Sequence, residues 1–199
     1  MTRIYRYILS HDFGMAPCPD GGRITLATCK PVIRRMARPG DWVLGFRPGS
    51  LERGLLLWAG KVERVLDHGS YEREYRGRAD AVYRKRRSGG YQRLSPDYHP
   101  TQKEMDRDTS DPVLVFDPTV SRYLDGQLEA LPQELAHLAA AGRGHRVNGT
   151  QGGDLVRLEA WLATLIIADA PCVAQSIRDS EVTNTSCRAR PRTNVRRGC

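Results

Sequence analysis

Several features that would assign a function directly are missing from this sequence. None of its five cysteines forms a CxxC pair, so neither a zinc knuckle nor a dithiol redox motif is indicated. No Walker phosphate loop occurs and no GxGxxG follows a strand, which disfavours ATP and dinucleotide chemistry. The longest apolar run covers residues 161–168, far short of the ~20 residues that a membrane span needs.

The N-terminal residues lack the apolar core of a secretion signal, which predicts a cytoplasmic protein. In that reducing compartment, an odd number of irregularly spaced cysteines is expected to consist of free thiols. The sequence identifies no cofactor, and it offers no set of closely spaced ligands for a metal ion.

Positive charge is in excess. The formal net charge is +8 at pH 7, and the densest basic segment of the body lies at residues 73–87. Basic surfaces neutralise phosphates, so this charge predicts a nucleic acid or a modified nucleotide as the partner. A solvated basic face is the simpler alternative.

The order of β-prone and helical segments predicts one α+β domain over residues 1–169, followed by a basic, disordered tail over residues 170–199. We expect a curled antiparallel β-sheet with packed helices. The strands are predicted at residues 3–9, 24–29, 42–46, 55–66 and 112–117. The helices are predicted to begin at Pro31, to cover residues 132–141, and to follow Asp154. Residues 67–111 are expected to form a long functional excursion that holds only short elements.

Three strings are distinctive: RYILSHDFGMAPCPDGG, TLATCKPVIRRMARPGDWVLGF and GKVERV. They resemble the second of the numbered nucleotide modification associated domain families. The likeness covers roughly residues 3–168 and continues at residues 80–83, at Gln92, Ser95 and His99, at residues 107–109 and at residues 142–146. It implies a role in the synthesis or recognition of modified bases in DNA, mainly in bacteria and their phages, and therefore DNA rather than RNA. It implies a context more than a reaction.

A looser likeness is carried by PGDWVL and the following strand WAGKV. These strings are similar to the PUA-like group, which includes the ASCH and EVE domains that bind RNA or modified bases. This likeness implies a β-barrel as an alternative to the curled sheet.

Four residues are candidates for catalysis. His11 and Asp12 follow the first strand and share a loop with Cys18 and Asp20, where they would contact a base edge or transfer protons, although such residues also form turns. Cys29 precedes a helix and neighbours Lys30, which favours the thiolate, and its alternative role is that of a small buried hydrophobic residue. His99 is a candidate acid or base near neutral pH, as is His145.

The other candidates would bind nucleic acid or a base. Each has a structural alternative: a solvated helix face, a turn, a core aromatic or a basic loop at a helix end. These candidates are Cys18, Asp20, Lys30, Arg34, Arg35, Asp41, Trp42, Asp80, Tyr83, Arg107, Asp108, Arg143, His145 and Arg146.

Two functions therefore stay open. The first is a domain that recognises, or helps to generate, modified bases in DNA, with Trp42 and Trp58 as a stacking wall. The second is an enzyme that acts directly on a nucleotide or base through His, Asp and Cys residues. Convergence of titratable side chains on one place would favour the enzyme.

Overall fold

The structure, a computed structural model, describes residues 2–10, 13–48, 54–124, 127–139 and 144–168. The predicted tail at residues 170–199 lies outside the described residues. The helices are α1 (Pro31–Met36), α2 (His68–Glu74), α3 (Gln102–Thr109) and α4 (Asp154–Ala168). The strands are β1 (Ile4–Ile8), β2 (Thr25–Leu26), β3 (Trp42–Phe46), β4 (Leu55–Leu66), β5 (Tyr83–Lys85), β6 (Tyr91–Arg93), β7 (Val113–Phe116), β8 (Arg122–Tyr123), β9 (Glu129–Ala130) and β10 (His145–Arg146).

The main sheet has the strand order β10-β1-β3-β4-β7-β2, with β8 and β9 paired to the long strand β4. The class is α+β, as predicted, but the sheet is mixed, because β1 pairs with β3 in parallel. The connection between β1 and β3 contains β2 and α1, which lets the chain return to the same end of the sheet. The main sheet is thus antiparallel except at this one pair among the described strands.

The sheet is not closed into a barrel. Within the described residues, β10 and β2 are its two ends and are not paired with each other. The sheet nevertheless curls, since Tyr7 and Leu9 at one end share a hydrophobic cluster with Leu26 at the other. The predicted curl is thus present, and the alternative of a closed barrel is not.

Helix α4 covers one face of the sheet. Leu158 and Leu162 are buried in a cluster with Leu44 and Phe46 of β3, as the leucine spacing predicts. The predicted helix over residues 132–141 is instead a short 3-10 helix, Gln133–Leu138. Its two buried leucines are three residues apart, which suits the three-residue turn of that helix.

The opposite face of the sheet packs against α1 and a group of aromatic side chains. Trp58 is fully buried there, and its ring contacts Phe116 edge to face. The space comes from Gly45, directly opposite Trp58 on β3, where a Cβ would lie 2.0 Å from the indole Nε1. The core of this face therefore depends on a glycine inside a strand.

The excursion at residues 67–111 is more regular than expected. It holds α2, the hairpin of β5 and β6, and α3. Thr101 begins α3 as its N-cap and forms a capping box with Glu104. The sequence signal for this helix, Thr-Gln-Lys-Glu, was present at residues 101–104. Among the described residues, no helix is long and apolar enough to span a bilayer.

Candidate active site

A cysteine meets a histidine and an aspartate that follow it in the sequence by 70 or more residues. Cys29 lies in the turn between β2 and α1, His99 precedes α3, and Asp108 lies in the last turn of α3. His99 Nε2 is 3.9 Å from Cys29 Sγ, and His99 Nδ1 is 2.5 Å from Asp108 Oδ2. The three residues are 6%, 5% and 1% exposed, respectively. We call this group the triad.

The contacts of His99 define which ring nitrogen carries the proton. An ionised carboxylate only accepts hydrogen bonds, so Nδ1 of His99 must donate to Asp108. In the neutral ring this leaves the lone pair of Nε2 directed at the sulfur of Cys29. The arrangement has the same roles as a nucleophile, a base and an orienting carboxylate in acyl-transfer enzymes.

The backbone is strained at this site. Cys29, Lys30 and His99 have φ values of 55°, 42° and 46°. In the described part of the chain they are the only residues other than glycine with positive φ. Each such residue costs about 1–3 kcal/mol, and strain of this kind concentrates at functional sites.

Asp108 is hydrogen-bonded to both other members of the triad. Besides His99, its carboxylate accepts hydrogen bonds from the Tyr83 hydroxyl at 2.8 Å and from the backbone NH of Cys29 at 3.3 Å. Burial alone would raise the pKa of Asp108, but the hydrogen bonds from His99 and Tyr83 and the charge of Arg34 lower it below its usual value. The carboxylate therefore stays ionised at neutral pH.

Tyr98 packs over the imidazole. Its ring stacks on His99 with 4.2 Å between centroids, and its hydroxyl lies 3.6 Å from Cys29 Sγ. The same hydroxyl is 2.9 Å from Thr28 Oγ1. Burial raises the pKa of Tyr98 to about 12, so the phenol keeps its proton at neutral pH and is available as a donor beside the sulfur.

Arg34 is a buried arginine that is hydrogen-bonded to backbone carbonyl groups around the triad. Its side chain has no exposed surface, and it donates to the carbonyl oxygens of Cys29, Asp111 and Pro112 at 3.3, 2.6 and 2.8 Å, and also to that of Asp108. Burial lowers the pKa of Arg34 to about 10, which still leaves it charged at neutral pH. The sequence interpretation of Arg34 as a phosphate ligand or part of a solvated helix face was wrong, because its donors are used inside the protein.

His68 is a buried histidine that contacts the Arg34 guanidinium. Its Nε2 is 3.0 Å from Nη2 of Arg34. The same nitrogen lies 2.9 Å from the backbone carbonyl oxygen of Asp108, so it faces both a donor and an acceptor. Burial and the charge of Arg34 lower the pKa of His68 to about 4. Neither His68 nor Tyr98 was singled out for catalysis from the sequence.

The cysteines differ from one another. Cys29 is disulfide-bonded in the structure, contrary to the expectation of free thiols, whereas Cys18 is free and buried. Burial raises the pKa of the Cys18 thiol to about 11, so this sulfur is a poor nucleophile at neutral pH. Among the described residues, no three His, Cys, Asp or Glu side chains are grouped as metal ligands would be.

A second buried network surrounds Asp80. Its carboxylate accepts hydrogen bonds from Thr25 and Tyr71 at 2.6 Å each and pairs with Arg78 at 3.5 Å. Burial raises the pKa of Asp80. Arg78 also donates to the backbone carbonyls of Cys18 and Asp20. This network fastens the loop at residues 18–23 to the sheet and contains none of the triad.

Several predicted binding residues have structural partners. Asp41 accepts hydrogen bonds from the backbone NH groups of Arg38 in its own turn and of Arg3 before β1, and Trp42 is buried with its indole donating to Glu159. Arg35 forms an ion pair with Asp111. With Trp58 also in the core, the stacking wall proposed from the sequence does not face solvent.

The remaining candidates are spread over the fold. Tyr83 contacts the triad through Asp108, whereas Arg107 is exposed on α3. His145 and Arg146 form β10, where His145 lies directly opposite Tyr7. His11, Asp12 and Arg143 lie outside the described residues.

The hairpin of β5 and β6 carries the last part of the densest basic segment, residues 83–87. Arg84 is paired with Glu72 at 2.8 Å, while Arg86 and Arg87 are exposed in the turn. Between this turn and α3 lies an open cavity of about 430 Å³, lined in part by Arg86, Tyr91 and Met105. No residue of the triad lines it.

A comparison with models of known protein families gives a match over most of the chain. The family model of nucleotide modification associated domain 2 matches residues 1–175. No curated protein and no solved structure matches the chain.

Proposed function

Because the chain belongs to the nucleotide modification associated domain 2 family, we propose that it is a cysteine-dependent enzyme that acts directly on the base of a nucleotide. Cys29 is the nucleophile, His99 the general base and Asp108 the residue that orients the imidazole. The observation that carries this proposal is His99, which contacts the Cys29 sulfur with one nitrogen and the Asp108 carboxylate with the other.

In the proposed reaction, His99 Nε2 takes the thiol proton and the thiolate adds to an electrophilic carbon of the base. A carbon–sulfur bond forms as a π bond of the base opens, and the displaced electron pair takes the proton back from His99. Tyr98 donates a hydrogen bond to the charge that develops on the base. Expulsion of the thiolate reverses these steps and releases the base. Before the thiolate leaves, the ring carbon next to the one that carries sulfur is nucleophilic, so it can bond to an electrophilic co-substrate, and the hydrogen replaced there leaves as a proton.

Because Cys29 is disulfide-bonded in the structure, the proposed reaction requires prior reduction of this disulfide. Only a thiolate is a nucleophile, so the proposed activity requires a reducing thiol such as dithiothreitol. The Nε2 to sulfur distance of 3.9 Å is longer than a catalytic hydrogen bond in a complex, and such contacts shorten when substrate binds.

Direct chemistry is better supported than recognition alone. A reader of modified bases needs exposed aromatic faces, and both Trp42 and Trp58 are buried. The strained turns at Cys29 and His99 are a cost that base recognition does not require.

The test is incubation of the reduced protein with deoxynucleotides and with oligonucleotides that carry normal or modified bases. Mass spectrometry would follow both the bases and the peptide that contains Cys29, where a mass increase equal to a base or nucleotide identifies the adduct. We expect Cys29→Ser and His99→Ala to remove product and adduct while the fold is retained.

Cys18→Ser is the matched control, because it removes a buried free thiol that lies outside the triad. It should retain activity if it folds. Full turnover by Cys29→Ser, or no dependence on a reductant, would show that the chemistry does not use this sulfur.

A further inference from the structure

Lys30 is a partly buried cation whose described contact is with an aromatic ring. Its Nζ lies 4.7 Å from the centroid of the Tyr7 ring. Among the described ion pairs none involves Lys30, unlike Arg35 and Lys61, which are both paired with carboxylates. Burial lowers the pKa of Lys30, and no described acidic group opposes this effect. Within the described ranges, the cation is therefore partly desolvated without a counter-charge.

The position of Lys30 connects it with the triad. It directly follows Cys29, and the left-handed backbone of both residues fixes the direction in which its side chain leaves the turn. Tyr7 belongs to β1, the strand next to the end strand β10, so the Lys30 side chain reaches from the turn before α1 to the β1 side of the sheet. His145 stands directly opposite Tyr7 on β10, and paired residues in antiparallel strands point to the same face.

A half-buried ammonium without a counter-charge costs free energy in the absence of a ligand. A cation–π contact recovers only about 0.5–2 kcal/mol. An anion that binds beside Lys30 would supply the missing charge, and of the parts of a nucleotide only the phosphate is an anion at neutral pH.

We propose that Lys30 binds a phosphate group of the substrate, next to the nucleophile. This inference rests on the proposed function, and it makes the substrate a nucleotide or a nucleic-acid strand instead of a free base or nucleoside. The phosphate of a mononucleotide and that of a strand offer the same chemistry to Lys30, and the experiment separates them.

The test compares alkylation of Cys29 by iodoacetate, an anion, with alkylation by neutral iodoacetamide. The protein is reduced and desalted, and the rates are measured on the Cys29 peptide by mass spectrometry. Lys30→Gln should lower the ratio of the iodoacetate rate to the iodoacetamide rate by about three- to tenfold, since one nearby unit charge at intermediate dielectric has that effect. Lys30→Arg should keep the ratio. Inorganic phosphate should lower it in the wild-type protein but not in Lys30→Gln.

Lys61→Gln is the matched control, because it removes a partly buried lysine that already has a carboxylate partner, Glu159. Its ratio should equal that of the wild type. Deoxynucleoside monophosphates and oligonucleotides are then added as competitors. Suppression by both assigns the site to a nucleotide phosphate in general, and suppression by oligonucleotides alone assigns it to the backbone of a strand.

An unchanged ratio in Lys30→Gln would overturn the proposal and leave Lys30 as a structural contact of Tyr7. The proposal would also be overturned if neither phosphate nor nucleotides altered the ratio of the two alkylation rates in the wild-type protein. This measurement remains available if Lys30→Gln fails to fold. The alkylation test does not depend on enzyme turnover. If phosphate lowers the alkylation ratio but no base is modified, the proposed enzyme activity is refuted and phosphate binding by Lys30 is not.

Discussion

The guanidinium of Arg34 donates to the backbone carbonyl of Cys29, with 3.3 Å between Nη1 and the oxygen. The same side chain lies 3.9 Å from the Asp108 carboxylate and donates to its backbone carbonyl. One buried cation thus fixes the proposed nucleophile relative to the carboxylate that orients its base. The backbone NH of Cys29 donates to the Asp108 carboxylate, so the strained residue is held at both its NH and its carbonyl group.

We expect Arg34→Lys to impair the site although the substitution keeps the positive charge. Lysine keeps the charge but cannot reproduce the several donors of a guanidinium in fixed geometry. Removing one partner of a buried, charged network costs about 3–5 kcal/mol, and the retained charge of lysine reduces this cost. The pH profile of Cys29 alkylation should also move to higher pH, because the sulfur loses its fixed position beside His99.

Arg35→Lys is the control for Arg34, since the neighbouring arginine is exposed and its side-chain contact within the described residues is with Asp111. It should leave both the unfolding free energy and the alkylation profile within error. If Arg34→Lys lowers stability but does not move the profile, Arg34 supports the fold without positioning the sulfur.

Asp108→Asn should reduce kcat by about 10³–10⁴-fold with little change in substrate binding. An amide can donate to Nδ1 of His99, which would put the imidazole proton on Nε2, facing the sulfur. The thiol would then have no base. Measurement of kcat and KM separately checks this, and a loss confined to KM would contradict the orienting role.

His68 should make stability depend on pH in a defined window. Its pKa is about 4 in the folded protein against 6.5 in its ordinary state, so the unfolded chain binds more protons between these values. Stability from His68 is full above pH 6.5 and is lost as the pH falls towards 4, by at most ~3 kcal/mol.

Urea unfolding at pH 7 and at pH 4.5 would measure this loss. The paired variant is His68→Gln, whose amide can accept from Arg34 without titrating. Its stability should fall less than that of the wild type over the same interval. Equal slopes for the two proteins would assign the acid sensitivity to other groups.

Gly45→Ala should destabilise the fold by more than ~2 kcal/mol, because the added Cβ would overlap the Trp58 indole. The comparison variant is Gly152→Ala, where an added Cβ meets nothing within 4 Å. Thermal unfolding of the two proteins would settle the difference. A neutral Gly45→Ala would mean that the aromatic cluster under β3 rearranges easily.

Local patterns were enough to predict much of the sheet. The bounds of β3 and β4 were predicted to the residue, because each is an apolar run enclosed by turn residues. The parallel pairing of β1 with β3 depends on how the intervening chain returns, and no local pattern encodes that path. The capping box at Thr101 was a readable signal for α3 that the composition of the excursion obscured.

The site was predictable in its members but not in its arrangement. Cys29 and His99 were recognised as reactive residue types, whereas Asp108 was assigned to binding. Their contacts join residues about 70 positions apart, which sequence spacing cannot reveal. Arg34 and Arg35 were treated together, yet successive helical residues point about 100° apart, so one entered the core and the other stayed in solvent.

The open sheet has a further consequence for how this chain meets other copies of itself. An unclosed sheet exposes edges whose unpaired NH and CO groups can recruit a strand from another molecule. Here the strands at both ends, β10 and β2, are only two residues long, and Thr25 of β2 already pairs with Cys18 on its outer side. Such short edges give an incoming strand too few partners for a stable ladder, so the described sheet can stay unclosed while resisting edge-to-edge aggregation.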